Sequence, residues 1–339
     1  MWTSNGDYII CFMEYQIAKN ELNILTASDK IDLSIFYFYL GEKRVDKNFS
    51  AIARTYLKEA INSVVLSDPK ELAMFGLKIN FILKKGFAKG NVNEILEDFD
   101  NTLYKYCQTS DSDEYILQAD LWCLLYFGER LNSQSLKKDD DFIFQNLCIK
   151  MINLCYAKLQ KIPNYEHKIF DIENALPFFL FTISRIMKLN FYNIRIEKIL
   201  IEISPIILSY VPLLNVNKLH LIWAMNSVNN VKKIKGWGKH ILLLKEHLNL
   251  SIICINELKN RQIYFQDGAL GVYWISKSLM DIFDDKEISE FQNALIQKMK
   301  KSEVWDLVEG NVAYKNSHVG LFNGIAGVRL LLEKVSYED

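Results

Sequence analysis

The side chains able to do chemistry in this chain are few and widely spaced. It has five histidines and six cysteines in 339 residues. The cysteines, Cys11, Cys107, Cys123, Cys148, Cys155 and Cys254, form no Cys-x-x-Cys pair and sit mostly in apolar runs, which reads as buried free thiols. His220, Asp267 and Asn323 stand near the starts of apolar segments, and His and Asp are metal-ligand types, but two ligands do not make a site. We therefore expect no metal and no cofactor. His240 and His247 fall seven apart on one helical face and read as a wetted surface. The candidates for proton chemistry are Glu173, Asp267 and His318, each useful only if burial or a neighbour tunes its pKa toward neutrality. Asp171 and Glu173 equally suit a helix start, where acids meet the positive end of the dipole.

These residues are positioned by helices. Five prolines and fourteen glycines leave few breakers, and the segments between them repeat apolar residues at helical spacing with no strand-like alternation. Val92, Ile95, Leu96, Phe99 and Leu103 form one stripe behind an Asn91-x-x-Glu94 helix start, and Ile288, Phe291, Leu295 and Met299 form another behind Asp284 and Asp285. Leu33 to Leu40, Leu121 to Phe127 and Phe178 to Met187 are apolar almost all round and must be enclosed by other helices. Trp122-Cys123 and the aromatics Phe36 to Tyr39, Tyr126 and Phe127 are read as core.

The two kinds alternate. Enclosed segments begin near residues 29, 71, 117, 173, 219, 267 and 321, about 40 to 55 apart, and striped segments near 8, 50, 92, 141, 195, 241 and 286. That is a helix-pair period. It predicts an all-α protein: one domain over residues 1–339, built as an α/α toroid of about seven inner and seven outer helices. The inner-helix starts then share one mouth of the barrel, where Asp29, Asp120, His220, Asp267 and Asn323 are the candidate binding residues. Ser28, Asp29 and Asp120 also serve simply as helix-capping types.

Composition excludes several classes of function. Forty basic and forty-one acidic side chains give a formal net charge of -1 with no basic block, which argues against nucleic acid as a partner. The longest apolar stretches fall far short of the roughly 20 residues a membrane span needs. The first seven residues carry no basic region ahead of the apolar run Ile9 to Met13, so no secretory signal is expected and the reading is cytoplasmic.

Near the C-terminus runs Gly320-Leu321-Phe322-Asn323-Gly324-Ile325-Ala326-Gly327-Val328, with a shorter version at Asp267-Gly268-Ala269-Leu270-Gly271-Val272. These turns, with Gly86-Phe87 ahead of Asn93-Glu94-Ile95-Leu96, resemble the repeat signature of the lanthionine synthetase C-like (LanC-like) family. The resemblance implies seven helical hairpins in which a glycine turn opens each inner helix. Five of the fourteen glycines lie in these last two turns, where we expect them to supply φ > 0 and close backbone approach. The earlier turns hold other residues, such as Gln118-Ala119-Asp120.

In the family's cyclases, zinc is held by a cysteine in the fifth inner turn and a Cys-His pair in the sixth, and it activates a substrate thiol. Here the fifth segment, Asn217 to Trp223, has no cysteine, and Gln266-Asp267 stand where the pair belongs. A cyclase's acid/base histidine aligns with Glu173-Asn174. The resemblance thus implies a zinc-free member that binds or scaffolds a precursor peptide or modifying enzyme in ribosomal-peptide maturation. The alternatives are a zinc-independent enzyme using carboxylates at the barrel mouth, or a retained lanthionine cyclase with relocated ligands.

Overall fold

A computed structural model of the chain describes residues 25–65, 67–111, 117–132, 138–162 and 169–335. Every regular element among them is helical: α1 Ala27–Arg44, α2 Lys47–Ser63, α3 Pro69–Lys84, α4 Val92–Thr109, α5 Leu117–Leu131, α6 Lys138–Gln160, α7 Ala175–Met187 and α8 Asn193–Ser209. There follow α9 Asn215–Asn229, α10 Trp237–Glu246, α11 Leu250–Ile252 running into a π turn at Ile253–Glu257, α12 Ala269–Lys277, α13 Asp285–Lys300, α14 Val304–Gly310, α15 Val312–Ser317 and α16 Ile325–Val335. The striped helix expected near residue 8 lies outside the described residues.

Local sequence explains where many of these helices begin. Thr26 caps α1, its hydroxyl accepting from the Asp29 amide while the Asp29 carboxylate accepts from the Thr26 amide. Asp29 is therefore the third residue of a capping box rather than the cap itself. Asp46, Asp68 with Pro69 behind it, Asn91 and Asp284 cap α2, α3, α4 and α13 through their side chains. The helices that begin at Ala175, Asn215 and Ala269 lack a side-chain cap, and in the last two the first amides are satisfied from neighbouring segments instead. At α9, for example, the Glu257 carboxylate accepts from the amides of Asn215 and Val216 at 2.8 and 2.7 Å.

Helices α1, α3, α5, α7, α9, α12 and α16 bury residues around much of their circumference, whereas α2, α4 and α13 bury one stripe each. Each enclosed helix touches the next one in chain order, and the last, α16, lies against α1. The helices α2, α4, α6, α8, α10 and α13 each pack on the enclosed helix that precedes them. One contiguous apolar core runs through the whole set. Sequence periodicity had no signal for α14 and α15, which interrupt the alternation between α13 and α16.

Candidate functional site

Charges inside all-round apolar helices must find partners, because an unpaired charge in that setting is costly. Asp32 on α1 is 3% exposed and pairs with Lys78 of α3 at 2.7 Å. The same carboxylate accepts from the Leu321 amide at 2.9 Å, which ties the turn before α16 to α1. Lys78 also reaches Ser28 Oγ at 3.3 Å. Asp29 lies beside this group, and burial pushes its carboxyl above the ordinary range, with the Asp32 charge adding to the rise and Lys78 opposing it.

A second group joins the first turn of α3, Trp122 of α5 and the turns before α7 and α12. Glu173, just before α7, is 4% exposed and accepts from Lys70 Nζ at 2.7 Å, from Trp122 Nε1 and from Gln266 Nε2 at 3.2 Å. Gln266 Nε2 also reaches Asp171 Oδ2 at 3.2 Å, and its backbone carbonyl accepts from the Ile172 amide at 2.8 Å. The Phe322 carbonyl in turn accepts from the amides of Phe265 and Gln266. A continuous polar seam thus links α1 and α3, Trp122 of α5, and the turns that open α7, α12 and α16. Burial raises the Asp171 carboxyl, with the neighbouring Glu173 charge adding to the rise.

The turns opening α12 and α16 repeat each other. The Ala269 and Leu270 amides donate to the carbonyls of Gln262 and Ile263, and the Ile325 and Ala326 amides donate in the same pattern to His318 and Val319. Gly271 and Gly327 occupy equivalent places, and a Cβ on either would lie well inside contact with a backbone carbonyl, of Phe265 or of Leu321. Gly268 and Gly324 face backbone in the same way. None of the four has positive φ, which among the described glycines is confined to Gly86 and Gly236. Close backbone approach is thus the reason for these glycines as expected, while the φ > 0 expected with it is absent and that part of the reading is corrected.

The expected binding residues divide sharply. Asp120 is fully buried and engaged by Lys158 at 2.6 Å, Tyr106 at 2.9 Å and Ser110 at 3.1 Å, so it faces no ligand. His220 is equally buried, stacked on Trp223 with Phe170 edge-on to its ring. Glu173 has its oxygens held by Lys70, Trp122 and Gln266. Asn323 is exposed, and Asp29 and Asp267 are partly exposed. Asp267 comes near His318, whose charge opposes the upward push that burial gives the Asp267 carboxyl. The His318 ring stacks on Tyr314 and Tyr264, with Nδ1 at 3.0 Å from the Tyr314 carbonyl and 2.9 Å from Ser317 Oγ.

Other readings need correction. His240 is 5% exposed and its Nε2 meets the Tyr210 carbonyl at 3.1 Å, so only His247 belongs to the wetted face. Trp122 is partly exposed and serves the seam as a donor instead of simply filling core. Cys107, Cys123, Cys148 and Cys155 are buried free thiols, and burial pushes Cys123 well up. Among the described residues no three His, Cys, Asp or Glu side chains converge in a metal-binding arrangement. No helix there is long and apolar enough to cross a membrane.

Sequence reasoning missed Asp32, Lys70 and Lys78, and it singled out Gln266 only as a lost zinc-ligand position, without its tie to Asp171 and Glu173. The signal was available for Lys78, a charge set inside the mostly apolar run Leu72 to Leu83, but not for Asp32, which sits beside Asp29 and Lys30 ahead of the apolar run from Leu33. No family model matches the chain, and no curated protein matches it.

Proposed function

We propose that this chain is an α/α toroid of the LanC-like kind that has replaced zinc chemistry with recognition, and that its inner-turn mouth binds a peptide segment or partner protein. The cyclic succession of helix contacts, α1 to α16 and back to α1, supports the toroid. The observation that carries the functional reading is Gln266. It stands where the family resemblance implies a zinc-ligating cysteine, and its side-chain amide is instead bonded to Asp171 and Glu173. A neutral amide that donates to two carboxylates is a structural tie, and it does not suit a zinc centre.

The donor set around it does not fit zinc either. Glu173 is held by a lysine, an indole and an amide, and His220 is walled by aromatic rings. The same engagement argues against the carboxylate-enzyme reading, because Asp120 and Glu173 are already committed to cations and donors within the chain. What remains presented at the mouth is Asp29, Asp267, His318 and Asn323, a polar rim suited to orienting a ligand. The localisation that goes with this reading is cytoplasmic.

Two measurements test the proposal. Elemental analysis of the purified protein should find no stoichiometric zinc, and a chelator should leave the melting temperature unchanged, since a structural zinc contributes folding free energy directly. A precursor peptide encoded beside this chain should bind without mass change or loss of thiols. Zinc near one per chain, or thioether formation, overturns the reading. Binding that survives Asp267→Ala with Asn323→Ala removes those residues from the site.

A further inference from the structure

A cavity of about 670 Å³ lies among the enclosed helices α1, α3, α12 and α16. Its size falls within the roughly 300–1,000 Å³ typical of small-molecule sites. Phe265, Leu321 and Phe322 from the turns that open α12 and α16 line it, together with Leu270, Trp274 and Leu330. Trp274 is 39% exposed and takes Trp223, Phe181 and Phe265 against its ring, so the wall is held by packed aromatics.

Charge enters this cavity with one sign only. Lys43, Lys78, Lys277 and Lys334 line it, and no acidic side chain does. Lys78 is committed to Asp32. Lys43, Lys277 and Lys334 are exposed and lie in the last turns of α1, α12 and α16, so three helices each bring a lysine of their C-terminal turn to the lining. Each also offsets the negative end of its own helix dipole, yet that role does not require them to line one cavity. Glu333, buried on α16, pairs with Arg44 and Arg329.

We propose that this cavity binds a single-chain anionic amphiphile, its hydrocarbon tail against the apolar wall and its carboxylate or phosphate head beside Lys277 and Lys334. A peptide is disfavoured here for a physical reason. Its backbone amides would enter a wall that offers few hydrogen-bonding groups beyond Tyr39, Tyr273 and the lysines, and buried unpaired amides are costly. A hydrocarbon tail brings no such groups. The inference is independent of peptide binding at the inner-turn mouth, because the head-group lysines lie at the other end of the inner helices.

Calorimetric titration of the full chain with octanoate, decanoate, dodecanoate and tetradecanoate, below micelle formation, tests the proposal. Affinity should rise about fourfold per added methylene while the tail is still entering the cavity. Dodecanol should bind at least about tenfold more weakly than dodecanoate, and raised salt should narrow that gap. Comparing dodecyl phosphate with dodecanoate assigns the head group, whichever is the tighter. Lys277→Ala with Lys334→Ala should remove most of the preference for acid over alcohol, and Leu331→Trp should weaken both by filling the cavity. The pair of lysine changes is on the surface and keeps the test valid should the tryptophan variant misfold. Equal affinity for acid and alcohol, absence of a chain-length trend, or no binding by the full chain overturns the proposal. So does attachment to phosphatidylglycerol vesicles without uptake of the free amphiphile.

Discussion

At the scale of single residues, burial decides which acids can act and which only hold the fold. Asp120 and Lys158 are 0% and 4% exposed at the side chain, so deleting one charge strands the other in a medium that cannot solvate it. Asp120→Asn should destabilise the protein by about 3–5 kcal/mol, and adding Lys158→Met should recover much of the loss. Lys70 is 29% exposed and Glu173 keeps two other donors, so Lys70→Met should cost less, about 1–2 kcal/mol in urea denaturation. Equal costs for Asp120→Asn and Lys70→Met would remove the distinction. Asp267 behaves oppositely. Its carboxyl is raised by burial, so the folded state holds the proton more readily than the unfolded chain, and ionisation at neutral pH costs stability. That cost is absent below the ordinary value of 3.8 and grows as pH rises through the raised one. Asp267→Asn should therefore match wild type near pH 3 and be the more stable near pH 7, by less than about 1 kcal/mol given its partial exposure and the offsetting His318. A variant less stable than wild type at neutral pH contradicts this.

At the scale of elements, helix positions were legible because two patterns alternate along the chain, one apolar all round and one striped, and each is a direct reading of how much of a helix is covered. The hairpin α14 and α15 was not legible, since seven- and six-residue helices are too short to establish a period. The site was read less well than the fold. Residues at helix starts such as Asp120 and His220 look presented in sequence, but the approach of α6 and of the Phe170 segment covers them, and no local signal records that approach. Glycine spacing and close backbone approach were legible, but the φ > 0 expected with them was wrong, because contact between turns by itself excludes a Cβ. Gly327→Ala should therefore destabilise by about 3 kcal/mol or more, the added methyl meeting the Leu321 carbonyl, which cannot swing aside as a side chain would. Gly238→Ala, inside α10 with open space around its Cβ position, should instead gain about 0.5–1 kcal/mol from lower chain entropy. Thermal melts of the two variants moving in the same direction would refute the contrast.

At the scale of the whole molecule, the proposed ring makes a claim about cooperativity. In an open array of helix pairs each repeat is held only by its neighbours, so a weakened terminal pair frays ahead of the rest. In a closed ring there is no terminal pair: α16 is held by α12 on one side and by α1 on the other, and the Asp32 contact to the Leu321 amide crosses the same junction. Leu332 on α16 is 5% exposed and Leu124 on α5 is fully buried, far apart in the chain. Truncating either to alanine should cost about 2–5 kcal/mol. With the ring closed, Leu332→Ala and Leu124→Ala should each lower one shared transition, with helical circular dichroism and tryptophan fluorescence falling together. Trp274 on α12 and Trp122 on α5 then report loss of the same unit from two sides of the seam. An early separate phase in Leu332→Ala alone, with slow hydrogen exchange retained in α3 to α9, would mean that α16 is a free end and that the helices form an open array.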